Sequence, residues 1–96
     1  MEVDLIARFQ ARTGQEAAVE AALRAVAVPS RAEAGCLDFH VYRALREPRL
    51  FFIHSRWRDE AAFDRHATMP HTVRFLATVD PLIDPARDIT RATMIL

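Results

Sequence analysis

The feature that most limits what this chain can fold into is the order in which its apolar periodicity changes. "VDLIARFQA" (3–11) is β-branched and aromatic at its centre and alternates with a period of two, as a half-buried strand does. Behind "TGQE", a capping-box pattern in which Thr13 caps and Glu16 reaches back, Val19, Ala22, Leu23 and Val26 recur at helical spacing. Pro29 is expected to end or kink that helix, with Gly35 closing the turn that follows. "CLDFHVYRA" (36–44) and "RLFFIHSRW" (49–57) return to period two across "LREP" and read as a hairpin. Asp59 is a natural N-cap for a second helix, and Pro70 opens another helical piece through "TVRFLATV". A proline-bearing loop then leads to a last strand in "ITRATMIL".

The order β-α-β-β-α-β predicts an α+β chain of ferredoxin-like type: a four-stranded antiparallel sheet with its helices on one face. Residues 1–96 read as a single domain, short enough to bury only roughly 60–65% of its unfolded surface. Leu37, Phe39 and Val41, with Leu50 and Phe52, are expected to make the helix-free face apolar. A second copy is its natural cover, which predicts a homodimer packed sheet to sheet.

Composition removes several functions. Thirteen basic and thirteen acidic residues cancel, which argues against a nucleic-acid or anionic-membrane surface. Every basic residue is arginine, so lysine Schiff bases and lysine-anchored pyridoxal phosphate are excluded. Cys36 stands alone and reads as a small buried filler, leaving no internal disulfide and no cysteine-rich metal site. No glycine-rich dinucleotide fingerprint or phosphate loop occurs, and no cofactor is expected. Without a leader or a long apolar run, no membrane association and a cytoplasmic location are the expectation. His66 and His71 are five residues apart with Pro70 between them, not an i, i+4 pair, so no metal site is expected there. Asp38-x-His40 lacks a third ligand.

The first strand ending "ARF", "RAEAGCLDFHVYR" around the second, and a third strand ending in Trp57 before "RDEAAFDRHATMPHTVRFL" resemble the antibiotic biosynthesis monooxygenase-like domains. The resemblance covers nearly the whole chain and implies a dimeric α+β barrel. It also implies cofactor-free oxidation of small quinol- or anthrone-type aromatics by O2, although relatives include isomerases, cyclases and haem-degrading enzymes. In the polyketide oxygenases a pocket tryptophan matches Trp57, whereas Ile53, Phe63 and Tyr42 stand where those enzymes carry Asn, Tyr and His. The residues that serve haem degradation fall on Ala7, His66 and near Leu76, and none is retained.

By that placement the pocket combines Phe51, Ile53, Ser55 and Trp57 of the third strand with Asp38, His40 and Tyr42 of the second, and with Phe63 and His66 of the helix. His40, oriented by Asp38, is the expected base, with His66 the second candidate. Tyr42 or Ser55 is the expected donor to a substrate oxygen, and Trp57 and Phe63 the clamp on a planar ring. His54 falls on the opposite parity, towards the partner subunit. Two other readings stay open: an isomerase or cyclase of a small carbonyl compound, and a non-catalytic dimeric module that binds a small molecule or serves a stress response.

Overall fold

The computed structural model describes all 96 residues. Strand β1 is Val3–Gln10, helix α1 Glu16–Arg31, β2 Cys36–Arg43, β3 Leu50–Trp57, α2 Glu60–Ala67, α3 Pro70–Val79 and β4 Asp88–Ala92. A 3₁₀ turn, Asp80–Leu82, follows α3. The sheet order is β2-β3-β1-β4 with every pairing antiparallel, the ferredoxin-like α+β arrangement.

The local reasons for the elements are mostly those read from the chain. Asp59 caps α2, its carboxylate accepting from the Ala62 amide at 2.8 Å. Pro70 takes the first turn of α3, where a missing N–H costs nothing. Pro29 sits in the last turn of α1, which runs only two residues past it. The start of α1 differs from expectation. Glu16 does reach back, to the Gly14 amide at 2.9 Å, but the Thr13 hydroxyl accepts from Arg49 at 3.2 Å and Gln15 holds the cap position.

The core lies between the sheet and the helices. Leu5, Phe9, Phe51 and Trp57 meet Val19, Leu23, Phe75 and Val79, all at most 8% exposed. Burying each of the larger side chains is worth roughly 1.5–3 kcal/mol, which sets which strand parity turns inward.

That parity corrects the expected placement of β2. Phe39 pairs with Ser55 and Val41 with Ile53, so both face the helices, and Phe39 is 3% exposed. Asp38, His40 and Tyr42 therefore lie on the helix-free face, opposite Arg56, His54 and Phe52. A bulge between Cys36 and Asp38 takes up Leu37, so Cys36 and Phe39 both turn inward although three residues apart. The helix-free face is consequently mixed rather than apolar. Ile6, Phe52 and Tyr42 share it with paired charges: His54 with Asp4 at 2.9 Å, and Arg56 with both Asp38 and Glu2 at 3.0 Å.

Candidate functional site

A cavity of about 350 Å³ lies between the sheet and α2–α3. Its floor is Leu5, Ala7 and Phe9 of β1 with Ile53 of β3, and its walls include Phe39, Phe63 and Phe75. The polar groups are few: Ser55, Thr72 and His66 inside, with Arg87 and the more exposed Arg91 on the solvent side. Arg91 lies 4.9 Å from the centre of the Phe63 ring, joining β4 to α2, and is held by Glu60 and Asp64. An apolar cavity with a small number of convergent polar groups is the usual form of a small-molecule site. A second groove of about 430 Å³ between α1 and β2–β3 is open, lined by Arg24, Arg31, Arg43 and Glu20, and holds no histidine.

His66 is the chemically distinctive side chain. It lies on the last turn of α2 and is 6% exposed, with its ring against Trp57 at 4.5 Å between centres. Its Nδ1 is 2.6 Å from Glu33 Oε2 and 3.3 Å from Thr72 Oγ1. A carboxylate only accepts, so Nδ1 carries the proton and Nε2 keeps its lone pair. No polar side-chain atom in the protein is both sealed and unpartnered, and Nε2 has no partner, so this nitrogen retains access to open space. Burial lowers the pKa of His66 below its ordinary value, opposed in part by the hydrogen bond and charge of Glu33. The neutral imidazole is thus the resting form near pH 7.

Glu33 comes from the turn after α1. Gly35 lets that turn approach α2, because a Cβ there would stand 2.4 Å from the Ala62 Cβ. The same Glu33 oxygen also contacts His71 Nε2 at 2.8 Å. The break at Pro70 redirects the chain and sets the two imidazole rings 5.9 Å apart, a proximity that spacing on one continuous helix would not allow. Glu33, His66 and His71 each offer a ligand atom within 4.8 Å of the others. The two contacts to the carboxylate are of hydrogen-bond length, shorter than the roughly 3.4 Å edge of a tetrahedral site with bonds of about 2.1 Å.

The expected site residues divide into three groups. Ile53, Ser55, Phe63 and His66 line the cavity together. Trp57 lies behind it, fully buried, supporting the His66 ring and donating from Nε1 to Ser55 Oγ at 2.9 Å; Phe51 is core beneath α1. Asp38, His40 and Tyr42 are separated from the cavity by the thickness of the sheet, and the pocket that joined them to Trp57 is not formed. His40 contacts Asp38 at 3.7 Å but is half exposed. Cys36 is half-buried and its thiol is pushed up to about 11, mainly by burial, which leaves it a poor nucleophile. Glu33 and His71 were missed, and the only sequence signal for them was two histidines flanking a helix-restarting proline.

This cavity-bearing sheet and its helices define a class, and the family pattern of the antibiotic biosynthesis monooxygenases matches residues 3–78. The chain belongs to that family. It is 35% identical over 81 residues to Rv0793 of Mycobacterium tuberculosis, a protein with a provisional monooxygenase name, covering 84% of this chain and 79% of that one. The solved structure of Rv0793 superposes with a TM-score of 0.95 over 100% of this chain and 97% of its own, at 29% identity. PA3566 of Pseudomonas aeruginosa gives 0.92 at 35% identity, covering 99% and 95%. No helix is long and apolar enough to cross a membrane.

Proposed function

We propose that this protein is a cofactor-independent monooxygenase that oxidises a small quinol- or anthrone-type aromatic compound with O2 in the cavity between the sheet and α2–α3. The observation that carries the proposal is the buried, neutral His66, whose Nδ1 is held by Glu33 and whose Nε2 is left free beside an apolar cavity. His66 replaces His40 as the base, because His40 lies on the far side of the sheet.

Nε2 takes the acidic proton of the bound quinol or anthrone. The anion passes an electron to O2, the radical pair joins at a ring carbon, and the peroxide collapses to a carbonyl. The O–O bond breaks as that ring carbon gives up its hydrogen: one oxygen stays as the carbonyl, and the other leaves as water with that hydrogen and the proton from His66. Glu33 steadies the imidazolium formed in between. Ser55 accepts from Trp57, so its own proton is free to donate to the substrate oxyanion. The apolar walls hold water away from the anion. The provisional name of Rv0793 supports an oxygenase over an isomerase.

The working form is a cytoplasmic homodimer joined through the helix-free sheet face, with Phe52, Tyr42 and Ile6 as its apolar contacts. Oxygen uptake by metal-stripped protein against hydroquinones, naphthoquinols and anthrones tests the activity. Uptake above autoxidation, lost in His66→Ala and kept in His40→Ala, is the expected result. No uptake across the panel, with ring compounds still bound, would return the site to an isomerase, cyclase or binding role.

A further inference from the structure

The mechanism uses one edge of Glu33 and leaves His71 without a task. His71 is 14% exposed in its side chain, and Glu33 is 12% exposed. Both contacts fall on a single oxygen, Oε2, at 2.6 Å from His66 and 2.8 Å from His71. Each is an imidazole N–H donating to the same acceptor, so His71 Nε2 also bears a proton.

We propose that His71 is a positioning residue for the base: it anchors the Glu33 carboxylate so that Oε2 fixes His66 in the Nδ1–H tautomer with Nε2 open to the cavity. The inference rests on the reading of His66 as the base, although its structural part can be tested without turnover.

Three features carry it. First, Glu33 belongs to a short turn, and its backbone is not part of a helix or strand that would fix the carboxylate direction. A carboxylate on such a turn with one partner is free to rotate and offer either oxygen. A second donor, placed at the first turn of α3, removes that freedom. Second, sharing one oxygen divides its acceptor strength, so Glu33 orients His66 without drawing off its Nδ1 proton. Third, α2 and α3 are separate helices, and the shared carboxylate ties both to the turn after α1. The base is therefore held by three chain segments rather than by its own helix. Thr72, one residue after His71, adds the weaker 3.3 Å contact to the same Nδ1.

Histidine ¹⁵N shifts of the substrate-free protein read the tautomer directly. Wild-type His66 is expected to show a protonated-type Nδ1 and an unprotonated-type Nε2. In His71→Phe the two nitrogens move towards averaged values, and kcat drops about tenfold with KM held within about twofold, the effect of losing one charge-assisted anchor. His71→Gln, which can still donate to Glu33, restores both readouts. A wild-type His66 protonated at Nε2 overturns the proposal without any variant. So does a His71→Phe protein in which the His66 shifts and kcat are unchanged. Stoichiometric Zn²⁺ that moves the His66 and His71 signals together, and fails to do so in Glu33→Gln, would overturn it in favour of a metal site. If the tautomer depends on His71 but no oxygen is consumed, the positioning role stands and the oxygenase reading falls.

Discussion

The two faces of the sheet carry the same chemical pairing in different surroundings. On the helix-covered face His66 meets Glu33, with both side chains about a tenth exposed. On the helix-free face His54 meets Asp4 and His40 meets Asp38, with the histidines roughly half exposed. The buried His66 imidazole has its pKa lowered, and the dominant cause is loss of solvent rather than the neighbouring charge. A histidine beside a carboxylate is thus not yet a base. What makes one is an environment that keeps the ring neutral, fixes its tautomer and adjoins space for a substrate.

The sharpest way to break this contrast is to remove the ring from each face in turn. His66→Ala should lower kcat/KM about 10²–10⁴-fold, the usual span for loss of a general base, while His40→Ala stays within about twofold. Oxygen-electrode rates on the best substrate decide it. Equal losses in the two variants would mean that the faces do not differ in the way argued.

The second contrast concerns stability. Trp57 is fully buried between β3 and α2, so Trp57→Ala should cost about 3–5 kcal/mol in urea unfolding. Trp57→Phe keeps most of the packing and loses the Nε1 bond to Ser55, for about 1 kcal/mol. Phe52 belongs to the other face, and Phe52→Glu should leave the unfolding of the single subunit nearly unchanged. It should instead weaken self-association at least about tenfold in sedimentation equilibrium, since it places unpaired charge in the proposed dimer interface. A dimer that survives unchanged would remove that face as the interface.

These contrasts also mark what could be read from the chain. The changes of period located every strand and helix, because burial periodicity is a local property. Which face of β2 turns inward did not follow from its alternation: Leu37, Phe39 and Val41 were expected on the helix-free face, whereas Phe39 and Val41 face the helices. The family placement of Asp38, His40 and Tyr42 followed the same inverted parity and was wrong for this chain. The bulge at Leu37 was not legible, since an extra residue in one strand is visible only against its partner. Nor was the Glu33–His66–His71 cluster, whose members come from three segments brought together by the packing of α1, α2 and α3. Thr13 shows the same limit on a smaller scale, its hydroxyl claimed by Arg49 from the turn before β3, far along the chain.

A smaller effect follows from the direction of the His66 shift. Its folded pKa lies below the ordinary value of about 6.5, so the unfolded chain binds this proton more readily. Its contribution to stability is present above the unfolded value and is lost as pH falls from there through the lower folded value. Between pH 7.5 and 5.5, wild type should therefore lose more stability than His66→Gln, by at most about 1.4 kcal/mol per pH unit. The activity should fall on acidification with a midpoint below about 6.5, where the imidazole takes up its proton. A midpoint above that value would mean that the charge of Glu33 outweighs desolvation.

The smallest expected effect is on the exposed pair. His54 and Asp4 join β3 to β1 at 2.9 Å, but the imidazole is 42% exposed and well hydrated in the unfolded chain too. Removing it as His54→Ala should change the stability of the isolated subunit by less than about 1 kcal/mol. In the proposed dimer the same pair is covered and its hydrogen bond is shielded from water, so the cost should rise with protein concentration. Urea unfolding of wild type and His54→Ala across a range of protein concentrations separates the two regimes. A cost that is large and independent of concentration would make the pair a determinant of the single sheet, and the two faces would then differ less in stability than in chemistry.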